Sequence, residues 1–198
     1  MRVNYVLIDY ENVQPESVAA LAQDHFKVMV FVGASQSKVT FDAAAALQKM
    51  GSKAEYVKIS GNGPNALDFH IAYYIGLLAA AEPGAYFHII SKDTGFDQLI
   101  QHLKSKNIFA ARSKAITDIP LVKAAGAKSP AERMAIVTAK LQQLGASRPR
   151  TLKTLTSTIE SLFQKQLGEP EVKALIEALA ASSTVVVTGT KVSYVMPS

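Results

Sequence analysis

Four aspartates of this 198-residue chain, Asp9, Asp68, Asp93 and Asp97, stand in local settings that suit chemistry on an anionic substrate. Asp9 closes the run 3–8, which is rich in β-branched residues and reads as a strand. Asp68 falls in the first turn of a helix whose body is apolar. Asp93 follows the short apolar run 86–90, after Ser91 and Lys92. Asp93, Thr94 and Gly95 read as the start of a helix continued by Phe96, Leu99, Ile100 and Leu103, which puts Asp93 and Asp97 on one side of its first turn. Singly, each acid has a plainer role as a turn, cap or dipole complement. As a set, all four fall at or just past the carboxyl ends of strands, on the rim where open α/β sheets bind ligands. Carboxylates gathered without a histidine repel one another unless a hard cation neutralises them, and Mg²⁺ or Mn²⁺ with oxygen ligands suits such a set. One or two such ions activate water and stabilise the in-line displacement at a phosphodiester.

The elements that must position these acids alternate along the first part of the chain. A loop containing Pro15 feeds a helix at about 16–25, residues 27–32 form a second strand, and Gly33–Ser37 close it. A helix over 41–50 ends at Gly51, 54–59 is a third strand, and 66–81 is a strong helix broken by Glu82, Pro83 and Gly84. The apolar run 86–90 is the central strand, and a short strand at 108–111 ends the series. Repeated β-α units with apolar strands predict a parallel sheet covered by helices on both faces. Ser35, Gln36 and Lys38 then lie in a loop on the same rim as the acids, placed to position phosphate. The loop 60–65 loosely fits a dinucleotide fingerprint, but Pro64 removes a backbone donor and no acid follows at the needed strand end.

Beyond Lys114 the pattern changes. Residues 124–130 look like a connector, 131–144 an amphipathic helix, and Gly145–Arg150 the entry to another unit. Leu152, Leu155, Ile159 and Leu162 recur at helical spacing, 171–180 is a second helix, and 185–195 forms two strand-like runs around Gly189. Helix, helix, hairpin is the arithmetic of a winged helix. The expected organisation is a first domain over 1–125, a connecting helix over 126–145, and a winged-helix unit over 146–198.

Composition bounds the chemistry. The chain has no cysteine, which excludes disulfides, thiolate zinc sites and a cysteine nucleophile and fits a reducing, cytoplasmic setting. The longest apolar run, 71–81, is far short of a membrane span, and the amino-terminal residues do not read as a signal peptide. Net charge is +5 but unevenly placed, with 12 basic against 11 acidic residues through Ala125 and 9 against 5 from Gly126 on. The basic excess of the tail suits an anionic partner. His25, His70, His88 and His102 are scattered and none is assigned to chemistry.

Three stretches resemble one family. Ile8-Asp9-Tyr10-Glu11-Asn12 is similar to the Asp-x-x-Asn opening of the NYN branch of PIN-like ribonucleases. Asn65-Ala66-Leu67-Asp68 resembles the central acidic motif of that family, and Ile90-Ser91-Lys92-Asp93-Thr94-Gly95-Phe96 its late Ser-x-Asp-Ser-Asp-Phe motif. The similarity spans residues 3–112 in order. It implies an α/β three-layer, PIN-like (Rossmannoid) fold and metal-dependent cleavage of RNA. Asp9, Asp68 and Asp93 would be metal-binding acids, and Asn12 and Thr94 would orient water or phosphate. Asn65, Ser91, Lys92 and Arg112 join Ser35, Gln36 and Lys38 as substrate contacts. Gly95 stands where many members carry a second Asp, so Asp97 is expected to substitute as ligand or water-orienting base. The tail from Arg148 on resembles the winged-helix (LOTUS, or OST-HTH) module that accompanies some NYN domains and binds RNA. RNA is therefore the expected partner, a membrane is not, and the oligomeric state stays open, a homo-oligomer included.

Two other readings compete. Asp9-x-Glu11, Ser35 and Ser91-x-Asp93-x-x-x-Asp97 also resemble haloacid-dehalogenase phosphatases, with Asp9 as nucleophile and the two late acids on Mg²⁺. That scheme has Glu where the general acid is usually Asp and leaves Asn12 and Asp68 without a role. A catalytically silent RNA-binding protein would instead use Lys92, Arg112, Lys114, Lys123, Arg148, Arg150, Lys153 and Lys191 on phosphates.

Overall fold

A computed structural model describes residues 2–195 except 128, 164 and 166, so residues 196–198 of the expected last unit lie outside the described residues. The chain divides into two compact units, Met1–Ile119 and Pro120–Ser198. The first is built on five strands, β1 (Asn4–Asp9), β2 (Phe26–Val32), β3 (Ala54–Lys58), β4 (Tyr86–Ile90) and β5 (Phe109–Ser113). They lie in the order β3-β2-β1-β4-β5 and every neighbouring pair is parallel. All six residues of β1 are buried, because the middle strand of such a sheet is covered on both faces. Helices α1 (Phe41–Lys49), α2 (Ala66–Ala81) and α3 (Phe96–Ser105) connect the strands. Tyr5, Leu7, Met29, Phe31, Phe87 and Ile89 share one core with Leu67, Ile71 and Ile75 of α2 and Phe96 and Leu103 of α3. The alternating residues Val6, Ile8, Val28 and Val30 are just as deeply buried, as are Val18 and Leu21 of a short 3-10 turn packed on β2 and α1. Helix, sheet and helix form three layers, the fold that the β-α alternation predicts.

From β1 the chain winds outward to β2 and β3, whereas β4 returns to the other flank of β1 and winds on to β5. Strand order therefore reverses between β1 and β4, and sheets of this kind take their ligands at the carboxyl ends of that pair. Local boundaries differ from the sequence reading at three places. The helix expected at 16–25 is only the 3-10 turn Val18–Leu21, because Ser17 takes a left-handed φ of 63° that no helix interior accepts. Asp93 does not cap a helix directly: its Oδ1 accepts the Gly95 N–H at 2.7 Å, closing a tight turn, and α3 starts at Phe96. β5 runs on to Ser113, which draws Arg112 into the sheet.

The second unit contains α4 (Pro120–Gly126), α5 (Pro130–Leu144), α6 (Leu152–Leu162), α7 (Glu169–Ala181) and the hairpin β6 (Val185–Thr188) with β7 (Lys191–Tyr194). The helix expected as a connector over 126–145 is α5, and its Val137 and Leu141 are core residues beside Leu155, Ile159, Leu175 and Leu179. An amphipathic helix has an apolar face to bury, and α5 buries it within this unit. Residues 120–125, expected in the first domain, belong to α4, whose Ala124 enters the same core. Ser129 and Glu132 close a capping box at the start of α5, and Thr151 and Thr154 close one at α6. Thr151 also pairs with Lys191 in an isolated antiparallel bridge, supported by Leu152 N–H to Thr190 O at 2.9 Å and Val192 N–H to Arg150 O at 3.0 Å. Among the described residues no helix is long and apolar enough to cross a membrane.

Candidate active site

Asp9 ends β1 and is completely buried. Three donors meet its carboxylate: Asn12 N–H reaches Oδ1 at 3.2 Å, Asn12 Nδ2 reaches Oδ2 at 2.7 Å, and Ser91 Oγ reaches Oδ2 at 2.7 Å. Ser91 lies just past β4, so its hydroxyl joins the two strands between which the sheet reverses. The same hydroxyl oxygen accepts the Asp93 N–H at 3.0 Å, which ties the turn of Asp93 to the floor of the site. A buried carboxylate is tolerated only when so supplied with donors. Asp68 enters from the first turn of α2 and is half-buried, as is Asp93.

These acids act on one another. Burial pushes the Asp68 carboxyl up from 3.8 to about 6, and the negative charges of Asp9, Asp93 and Glu11 add to the effect. Glu11 is the member that the sequence reading left out of the site. Its carboxylate rests over Gly33, where a Cβ would stand 1.7 Å from Oε1, so any side chain at 33 would displace Glu11 from this position. The Asp-x-Glu spacing at the end of β1 was the available signal. Among the described residues no three acid or histidine side chains are drawn together closely enough to chelate an ion. The donor set nonetheless fits a hard cation: every acid offers oxygen only, and the negative charges of Asp9, Asp93 and Glu11 all bear on Asp68.

Asp97 is placed otherwise. Arg112 grips it from β5 with two parallel bonds, Nε to Oδ1 at 2.8 Å and Nη2 to Oδ2 at 2.9 Å. The guanidinium holds the Asp97 carboxyl below the usual range and is itself raised by the pair. The Asp97 charge is thus already met by a cation, whereas the donors on Asp9 are neutral. Arg112 is likewise engaged, with a further bond from Nη1 to Ser91 O at 3.3 Å. Asn12 serves Asp9, so its side chain orients a carboxylate. Thr94 is exposed, and its carbonyl accepts the Asp97 N–H at 3.0 Å.

The loop residues separate into two groups. Ser35 donates to Asn62 Oδ1 at 2.8 Å and so links the loops after β2 and β3. Gln36 turns its Oε1 inward, where it is buried without a hydrogen-bond partner. Lys58 donates to Gly33 O at 2.7 Å and also bonds Gln36 O, bracing the loop. Lys38 and Lys92 are exposed on the rim, and Asn65, exposed before α2, takes a left-handed φ of 60°. No histidine joins the acids: His70 Nδ1 donates to Ala66 O at 2.7 Å, and His88 Nε2 lies 3.0 Å from Asn4 Oδ1.

No curated protein and no solved structure matches the chain. Residues 3–113, the stretch that carries the sheet, the reversal and all of these acids, match the family model of the PIN domain, whose members are typically metal-dependent nucleases, and the chain belongs to that family.

Proposed function

We propose that the chain is a ribonuclease of the NYN branch, cleaving RNA phosphodiester bonds with Mg²⁺ or Mn²⁺. The observation that carries this reading is the gathering of Asp9, Glu11, Asp68 and Asp93 above the strand reversal, where burial first and the neighbouring negative charges second bring Asp68 to about 6. Asp9, Asp68 and Asp93 would hold the ion, which when bound lowers the pKa of water and offsets charge on the phosphodiester. Asn12 and Ser91 fix the Asp9 carboxylate from below. The Gly95 bond fixes Asp93, and the exposed Lys38 and Lys92 offer charge to neighbouring phosphates. Hydrolysis forms one P–O bond from water, breaks one ester P–O bond, and yields one phosphate-ended and one hydroxyl-ended fragment. The phosphatase alternative needs Asp97 on the metal, and its charge is already neutralised by Arg112.

The second unit supports an RNA-holding role. α5, the Thr151 bridge, α6, α7 and the β6-β7 hairpin follow one another as in a winged helix. The exposed face of α7 carries Glu169, Glu171 and Glu177 against Lys173 and does not suit phosphate. Arg150, Lys153 and Lys191 gather instead where β7 meets the start of α6. An open hollow of about 410 Å³ lies there, lined by Thr151, Leu152, Lys153, Thr156, Ser157 and Thr190.

The test is incubation of labelled single-stranded and structured RNA with the full chain and Mn²⁺ or Mg²⁺, beside Asp93→Asn. Metal-dependent fragments that the variant does not form are expected. Intact RNA with wild-type protein under every condition would remove the nuclease reading.

A further inference from the structure

The chain has eight phenylalanines, and their burial is informative. Phe26, Phe31, Phe87, Phe96 and Phe163 are buried, and Phe109 lies under the Arg2 guanidinium, 4.1 Å from its ring centroid. Phe41 and Phe69 stand farthest out into solvent, at 83% and 69% exposure against 44% for Phe109. A large apolar ring left so open in a protein with ample core is the observation that needs a cause.

Both rings are carried at the starts of helices that follow strands of the sheet. Phe69 directly follows Asp68 in the first turns of α2. Phe41 opens α1, and the preceding Thr40 N–H donates at 2.9 Å to the hydroxyl of Tyr10, the buried neighbour of Asp9. Helix starts that follow parallel strands lie at the carboxyl rim, so two different helices present one bare aromatic ring each at the rim that carries Asp9, Asp68 and Asp93. The exposed Lys38 and Lys92 supply positive charge to the same rim.

We infer that Phe41 and Phe69 are stacking platforms on which this site holds the unpaired bases of its RNA. The inference rests on the ribonuclease reading for the identity of the nucleic acid. An aromatic face pairs with the flat face of any base, so such platforms bind strands with little regard to sequence. In a duplex those faces are stacked on neighbouring pairs and cannot meet the rings. The two phenylalanines thus select strandedness while the lysines hold phosphates. A protein partner is the rival occupant, because Phe69 continues along α2 into Tyr73 and Leu77, exposed at 64% and 51%.

The experiment measures affinity of the full chain, without divalent ions and therefore without cleavage, for a labelled single strand and for the duplex of the same sequence. Wild-type protein is expected to prefer the single strand. Phe41→Ala and Phe69→Ala should each weaken it roughly tenfold and leave duplex binding little changed. The chain has no tryptophan, so Phe69→Trp creates a lone indole whose fluorescence should be quenched by single strands and whose affinity should match wild type. Leu77→Lys, two turns farther along the same stripe, should keep wild-type affinity. Unchanged affinity in both alanine variants, or an indole indifferent to RNA, would overturn the inference. So would Leu77→Lys lowering the sedimenting mass together with RNA affinity, which would assign the stripe to a second copy. Strand binding that follows this pattern in a protein unable to cleave would leave the stacking role standing and remove only the nuclease reading.

Discussion

Asp68 bears most directly the repulsion among the acids, and its titration can be followed. In the ion-free protein its folded pKa of about 6 lies above the ordinary 3.8. A group raised on folding favours the native state below the unfolded pKa and loses that contribution as pH climbs through the folded one. Asp68→Asn should therefore stabilise the ion-free protein by about 1–2 kcal/mol near pH 7.5, after allowance for solvent screening, and by nothing near pH 4. Thermal melts across that range check it, and a pH-independent gain would contradict the shared field. Divalent ions should reverse the preference, because an ion that binds only the folded protein stabilises it. Millimolar Mn²⁺ should raise the melting temperature of wild type and of Asp97→Asn, but much less that of Asp9→Asn. Equal responses in the two variants would return Asp97 to the ligand set. Asp97 has a partner that its local sequence does not announce. It lies in the first turn of α3 as its spacing predicts, whereas Asp93 stands in the tight turn before it. The partner of Asp97, Arg112, comes from a strand whose end extends two residues beyond the sequence expectation. Glu11 was hidden for a similar reason, since its place depends on a missing Cβ at Gly33, a contact distant in sequence. Asp9 and Asp68 were legible because a strand end and a helix start fix their positions locally.

Elements rather than single side chains hold the rim together, and Ser91 is where two of them meet. Its buried hydroxyl donates from the end of β4 to Asp9 on β1 and accepts the Asp93 N–H. Ser91→Ala leaves both partners short in a dry place and should cost about 2 kcal/mol. Urea unfolding measures the loss, and a cost under a few tenths would mean that water replaces the hydroxyl. The alternation of strands and helices was plain from composition, since buried parallel strands are continuous apolar runs. Less visible was the fate of amphipathic segments between such runs. An apolar face predicts burial without saying against what, so α5 read equally well as a spacer or as a core helix. Its capping box is a local signal by contrast, and Ser129→Ala should destabilise the second unit by about 1 kcal/mol.

At the scale of the molecule, charge divides as the two units do. The first is nearly balanced, and the basic excess lies in the second. Several cations there are spent internally: Arg148 donates to Leu141 O at 2.9 Å and lies over the Tyr194 ring, and Arg133 pairs with Glu171 at 2.6 Å. Arg150, Lys153 and Lys191, by contrast, are exposed and are brought together by the Thr151–Lys191 bridge beside hydroxyl-bearing side chains. Phosphate contacts release counterions, so each cation on a single strand steepens the fall of log affinity against log salt by about 0.7. Replacing all three by alanine in the full chain should weaken RNA binding at low salt and flatten that slope by about 2. Lys173→Ala on the acidic face of α7 should leave the slope alone. Because the three side chains are exposed and outside the core, the triple variant should melt like wild type, so that a lost slope reads as lost phosphate contacts. A triple variant with wild-type affinity and slope would instead assign the second unit to a protein partner, with its charge left as solvated surface.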